Sequence, residues 1–220
     1  MSRYAYRMLV PALFDRLDLS KLFFYPDMFD SSRSWQHAGF DVDIGRTGNK
    51  SDIMVATHPL VPGVLFKKYS NKVSLKNQLE NYTRRVKGAQ KLRELIDAER
   101  LTKIAVPAKH LYKLSSTFSR KGRDDYILVV ERFELVDKVT CRQMYGSMDD
   151  ETLRQLCVVV RTIRGLSAGL RNMPFARDGR IAFIDTERWA DGHKKAPLRR
   201  IRDHLTERHR RVLDNLFPAR

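Results

Sequence analysis

The sequence is short of several things, and each shortage removes a class of protein. Cys141 and Cys157 are its only cysteines, with no CxxC spacing and no framework of pairs. That excludes a disulfide-stapled scaffold and suits a reducing compartment. Zinc finds no ligand set either. His204 and His209, five apart, point to different faces of a helix and read as ordinary surface residues. No run reaches the ~18 to 20 apolar residues of a membrane span. In the opening MSRYAYRMLVPALFDRLDLSKLFF, the residues Pro11, Asp15 and Asp18 interrupt the apolar stretch before a signal-peptide core forms. A short amphipathic helix is expected there instead. Internal repeats and low-complexity linkers are missing too.

Acid is scarce as well: 26 Asp and Glu stand against 42 Lys and Arg, for a net charge of +16 and a pI near 10.1. Such a field favours anionic partners, whether nucleotide phosphates, nucleic acid, acidic proteins or an anionic membrane surface, without choosing among them. What the sequence has in quantity is core material. Its 42% hydrophobic content, with 10% aromatics, is not that of a disordered chain. A length of 220 residues allows one domain, or one domain with a small appendage.

Residues 1–39 read as a helical lead-in followed by a Pro/Asp/Ser-rich turn from Pro26 to Ser34. From Phe40 the pattern changes to strands. Phe40–Ile44 alternates apolar and acidic, Gly45–Ser51 is a turn, and Ile53–Thr57 completes a hairpin. Val64–Tyr69 reads as a third strand. Ser74 is placed to cap a long helix from about Leu75 to Leu101, whose Gly88 marks a kink or close packing. Two further strands are expected at Ile104–Tyr112 and Tyr126–Phe133. A helix starting near Asp149 carries Leu153, Leu156, Val159, Val160 and Ile163, and one amphipathic helix from Leu198 to Leu216 closes the chain. Between them lies Asn172-Met173-Pro174-Phe175-Ala176-Arg177-Asp178-Gly179-Arg180-Ile181-Ala182-Phe183-Ile184-Asp185, two apolar runs around Arg-Asp-Gly, which predicts a tight hairpin. Strand-period and helix-period segments are segregated, so the fold class is α+β.

The order of these features resembles the protein-kinase-like superfamily. A glycine turn between two strands precedes a lysine on the third strand, in Val64-Leu65-Phe66-Lys67, and a glutamate on the next helix. Farther on, Asn172 stands thirteen residues before Asp185 with Gly179 in the turn between, the spacing of the catalytic-loop Asn and the metal-binding Asp in protein kinases. Mg²⁺ takes hard oxygen ligands, and an amide and a carboxylate at the ends of a hairpin can grip it from two sides. The resemblance covers roughly residues 40–190. It implies a two-lobed, minimal protein-kinase-like fold: an N-terminal helical extension (1–39), an N-lobe with a five-stranded antiparallel sheet and one long helix (40–134), and a reduced C-lobe (135–220). It also implies ATP and Mg²⁺ as cofactors. Gly45 and Gly48 would cover phosphates, Lys67 would hold them and Glu80 would orient Lys67, with Glu94 a weaker candidate. Val130, Glu131 and Phe133 would border adenine, and Asn172 and Asp185 would hold metal. Gly45–Ser51 is no P-loop, because Asn49 breaks the Gly-Lys pair and the segment lies between strands.

The chain departs from the family in three places. Ser167 stands where the catalytic aspartate would be, and a serine cannot accept the substrate proton as a carboxylate does. Asp185-Thr186-Glu187 replaces Asp-Phe-Gly, with Glu187 read as pairing with Arg188 in preference to adding a carboxylate at the metal. The residues after Asp185 are mostly one basic helix, too little for a standard activation segment and substrate lobe, so the comparison is with the minimal kinase-like proteins among bacterial effectors. The expected activity is phosphate transfer from ATP to a protein, in a cytoplasm, either its own or a host's. Two alternatives stay open: an ATP-binding pseudokinase or nucleotidyl-transferring relative, and a basic adaptor that binds nucleic acid or an acidic protein without nucleotide. The basic run from His193 to Arg211 reads as a solvated helix face, and no nucleic-acid reader motif accompanies it.

Overall fold

The computed structural model describes residues 22, 31–43, 53–69, 73–114, 125–163, 165–166, 169–190 and 198–217. In chain order the strands are β1 (Asp41–Val42), β2 (Ile53–Thr57), β3 (Val64–Tyr69), β4 (Ile104–Ala105), β5 (Lys109–Leu114), β6 (Asp125–Glu131) and β7 (Ile181–Ala182). The helices are α1 (Ser32–His37), α2 (Leu75–Ala98), α3 (Lys138–Ser147), α4 (Asp150–Thr162), α5 (Arg199–Arg202) and α6 (Glu207–Leu216). The chain divides into two units, Met1–Thr83 with Ala108–Arg132, and Arg84–Pro107 with Phe133–Arg220.

The first unit is built on a five-stranded antiparallel sheet in the order β1-β2-β3-β6-β5. Its core lies on one face. Phe40, Val42, Ala56, Val64, Phe66, Ile127 and Val129 are buried together with Leu22 and Trp35. Phe66 meets Phe40 edge to face with ring centroids 5.2 Å apart, and Phe40 in turn packs on Trp35 at 5.1 Å. The pleat puts every second residue of β3, Val64, Phe66 and Lys68, on this face. The Pro26–Ser34 turn region is corrected at its end. Ser31 caps α1, its hydroxyl accepting the Ser34 N–H, so Ser32–Ser34 already belong to a helix that seats Trp35.

The second unit is mainly helical. Leu153, Leu156, Cys157, Val159 and Val160 line the buried face of α4, whose cap Asp149 accepts the Thr152 N–H at 2.6 Å. Those hydrogen bonds from Thr152 hold the Asp149 carboxyl below its ordinary range. Burying each such side chain contributes about 1.5–3 kcal/mol. A helix absent from the sequence reading, α3, begins at an Asp137 cap and buries Tyr145, whose hydroxyl donates to the Met173 carbonyl at 2.7 Å. Burial raises the Tyr145 phenol well above its usual value.

Two boundaries differ from expectation. The segment Ile104–Tyr112 is two strands, because Pro107 has no N–H for a ladder; β4 pairs in parallel with β7, and β5 joins the antiparallel sheet. The closing helix is also two pieces, since Thr206 caps α6 afresh through the His209 N–H. This turns His209 inward. It is buried, with Nε2 3.0 Å from Asp150 Oδ1, and is no surface histidine. Among the described residues, no helix is long and apolar enough to cross a membrane.

Candidate functional site

In the first unit the register of the sheet decides which residues share a face. Lys67 lies opposite Val55 on β2 and Leu128 on β6, Leu65 lies opposite Val130, and Val130 lies opposite Lys109 on β5. Directly paired residues point to the same side. Lys67, Lys109, Val55, Leu65, Leu128 and Val130 therefore occupy one face, away from the Trp35 core. The valines, Leu128 and Lys109 are buried there, and Lys67 is half-buried. The neighbouring Lys68 faces the Phe66 side, with only 1% of its surface exposed. The face away from the Trp35 core is apolar and carries two lysines, Lys67 and Lys109.

The other sequence candidates of this unit are placed less suggestively. Glu80 is exposed on α2, and among the described residues no ion pair or side-chain hydrogen bond joins it to Lys67. The buried residues near it are Gln78 and Tyr82, the latter's hydroxyl accepting the Tyr69 N–H at 2.8 Å. At the end of β6 the Glu131 N–H donates to the Ala108 carbonyl, and its carboxylate accepts the Ala108 N–H at 2.9 Å. Gly45 and Gly48 lie outside the described residues, as does Ser167.

In the second unit, Phe133 is half-buried, and Glu94 is engaged on the surface of α2 by Lys91 at 2.8 Å. That hydrogen bond lowers the Glu94 carboxyl from its ordinary value. The predicted hairpin is present here. Phe175 bridges Ile181, the Ala182 N–H donates to Pro174 at 2.8 Å, and the Ile184 N–H donates to Asn172 at 3.0 Å. The turn closes through Gly179 at φ +84°, a conformation that favours glycine. Asp178 stiffens it by pairing with Arg180, whose hydrogen bonds lower the Asp178 carboxyl. Asn172 thus faces Ile184, and Asp185 is the next residue, so the backbone brings both candidate metal ligands to the open end.

The residue that organises that end was not singled out by sequence. Arg85 of α2 places Nη1 3.4 Å from Asp185 Oδ1 and Nη2 on Glu187 Oε2. The Thr186 hydroxyl donates to the Arg85 carbonyl at 2.7 Å, and Thr186 is fully buried. Glu187 accordingly pairs with Arg85 and not with Arg188. Gly88 permits the approach: a Cβ there would lie 2.1 Å from the Thr186 carbonyl oxygen and 2.7 Å from Trp189. The close packing expected at Gly88 is what it provides, and an arginine three residues earlier on the same helix face was the available clue.

No family model matches this chain, and no curated protein does. The donors at the hairpin end are what speak to a ligand. Asn172 and Asp185 offer oxygen alone, the set a hard divalent cation prefers, so the residues fit Mg²⁺ in kind. Among the described residues, however, no three His, Cys, Asp or Glu side chains gather as a metal-holding group. Arg85 already supplies positive charge to Asp185.

Proposed function

We propose that the protein is an atypical, minimal kinase-like phosphotransferase, two-lobed in fold, that binds ATP with Mg²⁺ and passes phosphate to a protein. The observation that carries the reading is the hairpin, in which the Asn172 carbonyl accepts the Ile184 N–H one residue before Asp185. The sheet face supports it independently, with Lys67 set among Val55, Leu128 and the Val130 row. In this reading Lys67 holds phosphate, Val130 borders the base, and Asn172 with Asp185 would hold the metal. When bound, the metal would neutralise charge developing on the phosphates. Phosphoryl transfer depends chiefly on positioning and charge stabilisation, so a serine at position 167 is compatible with slow turnover.

One observation favours a second reading, an ATP-binding pseudokinase. Arg85 occupies the Asp185 carboxylate that a metal would need. A basic adaptor has less support. Arg202 pairs with Asp214 at 2.7 Å, Arg211 with Glu207 at 2.6 Å, Arg208 with Asp150, and Arg210 donates to the carbonyls of Arg202 and Leu205. Among the described residues, three C-terminal arginines are thus paired with carboxylates of the chain itself.

The test is incorporation of label from γ-labelled ATP into protein, with Asp185→Ala as control, alongside thermal shift with ATP and with ATP plus Mg²⁺. A kinase gives γ-label and a Mg²⁺-dependent shift, both lost in Asp185→Ala. Label from α-labelled ATP indicates nucleotide transfer instead. A thermal shift without label identifies the pseudokinase, and no shift at millimolar ATP sinks both nucleotide readings.

A further inference from the structure

Backbone and side chain of Arg85 together engage three consecutive residues. Its carbonyl accepts the Thr186 hydroxyl, and its guanidinium spans the carboxylates of Asp185 and Glu187. The Glu187 N–H also donates to Asp185 Oδ1 at 3.3 Å, which fixes that oxygen from the other side. Arg85 is 14% exposed at its side chain and Asp185 35%, so the pair is shielded from solvent more than a surface ion pair. A guanidinium stays charged at every accessible pH and matches carboxylate geometry with two donors. Two carboxylates two residues apart attract a cation, and here the chain supplies one of its own.

A divalent ion that reaches Asp185 must therefore displace Arg85 from it, and must do so against a helix locked in place at Gly88. We infer that Arg85 is a resident counter-cation that suppresses metal binding at Asp185, so that free divalent ion is held weakly and loading requires Arg85 to release its carboxylates. This rests on the reading of Asp185 as the metal carboxylate. A purely structural ion pair would affect folding stability and leave metal affinity of the folded protein unchanged.

The test is Mn²⁺ titration of the full chain, followed by calorimetry and by the electron paramagnetic resonance signal of free Mn²⁺. Arg85→Gln is expected to bind Mn²⁺ about tenfold more tightly than wild type, a difference of about 1.4 kcal/mol. The gain should vanish in the Arg85→Gln/Asp185→Asn double variant. Equal affinity in wild type and Arg85→Gln, abolished in both by Asp185→Asn, overturns the counter-cation while leaving the metal reading intact. Absence of any Asp185-dependent Mn²⁺ binding in either protein overturns both. If Arg85→Gln does not fold, Arg85→Lys decides the matter. It keeps the positive charge but loses the two-donor fork across Asp185 and Glu187, and should tighten Mn²⁺ binding about threefold, half of the Arg85→Gln effect in free energy; unchanged or weaker binding overturns the inference.

Discussion

The two halves of helix α2 differ sharply in how their charged residues are used. Around Glu80 the helix buries Gln78 and Tyr82 and leaves the carboxylate in water. One and a half turns later, Arg85 is enclosed by Asp185, Thr186 and Glu187, and Gly88 lets the chain pass against the helix backbone. A charge on a helix acquires importance from what the rest of the chain brings to it. Five residues apart, the two project about 140° from each other around the helix, so they meet different parts of the chain.

Substitutions can sharpen or break this contrast. The largest effect is expected from Gly88→Ala. Alanine gains about 1 kcal/mol of helix propensity over glycine, but its Cβ would overlap the Thr186 backbone, and overpacking of this kind costs about 1–3 kcal/mol or more. A lowered urea midpoint, with net loss of about 2 kcal/mol, is the expected result; a stabilised protein would show that the close approach is not rigid. Thr186→Val keeps the shape and removes the hydrogen bond to the Arg85 carbonyl, for a loss of about 1 kcal/mol measured the same way. The smallest effect is expected from Glu80→Gln, within about 0.5 kcal/mol of wild type, as for exposed residues without a partner. If Glu80 nevertheless orients Lys67 when nucleotide binds, the ATP thermal shift of Glu80→Gln falls while its stability does not.

The same contrast shows what could be read in advance. β2 and β3 follow the sequence reading because a short run of apolar, strand-favouring residues between two turns is a local signal. The hairpin was legible for a related reason, since Gly179 and the flanking apolar runs sit within a dozen residues. Arg85 was not, because its partners lie about a hundred residues away and only its place three residues before Gly88 sets it apart from the other arginines of α2. His209 escaped through a similar gap, hidden by a fresh helix start at Thr206 that an unbroken amphipathic pattern concealed. Pro107 was the one local breaker whose weight was underestimated.

The parallel pairing of β4 with β7 carries a consequence for synthesis. Every strand of the antiparallel sheet has been synthesised once Glu131 is added, but Ile104 finds its partner only when Ile181 appears. At ~5–20 residues per second, that interval lasts roughly 4–15 s. During it, Ile104 and Ala105 have no strand to cover them, and Arg85 is made long before Asp185 exists. The first unit can fold while the chain is still being made; the second must wait for its own last third.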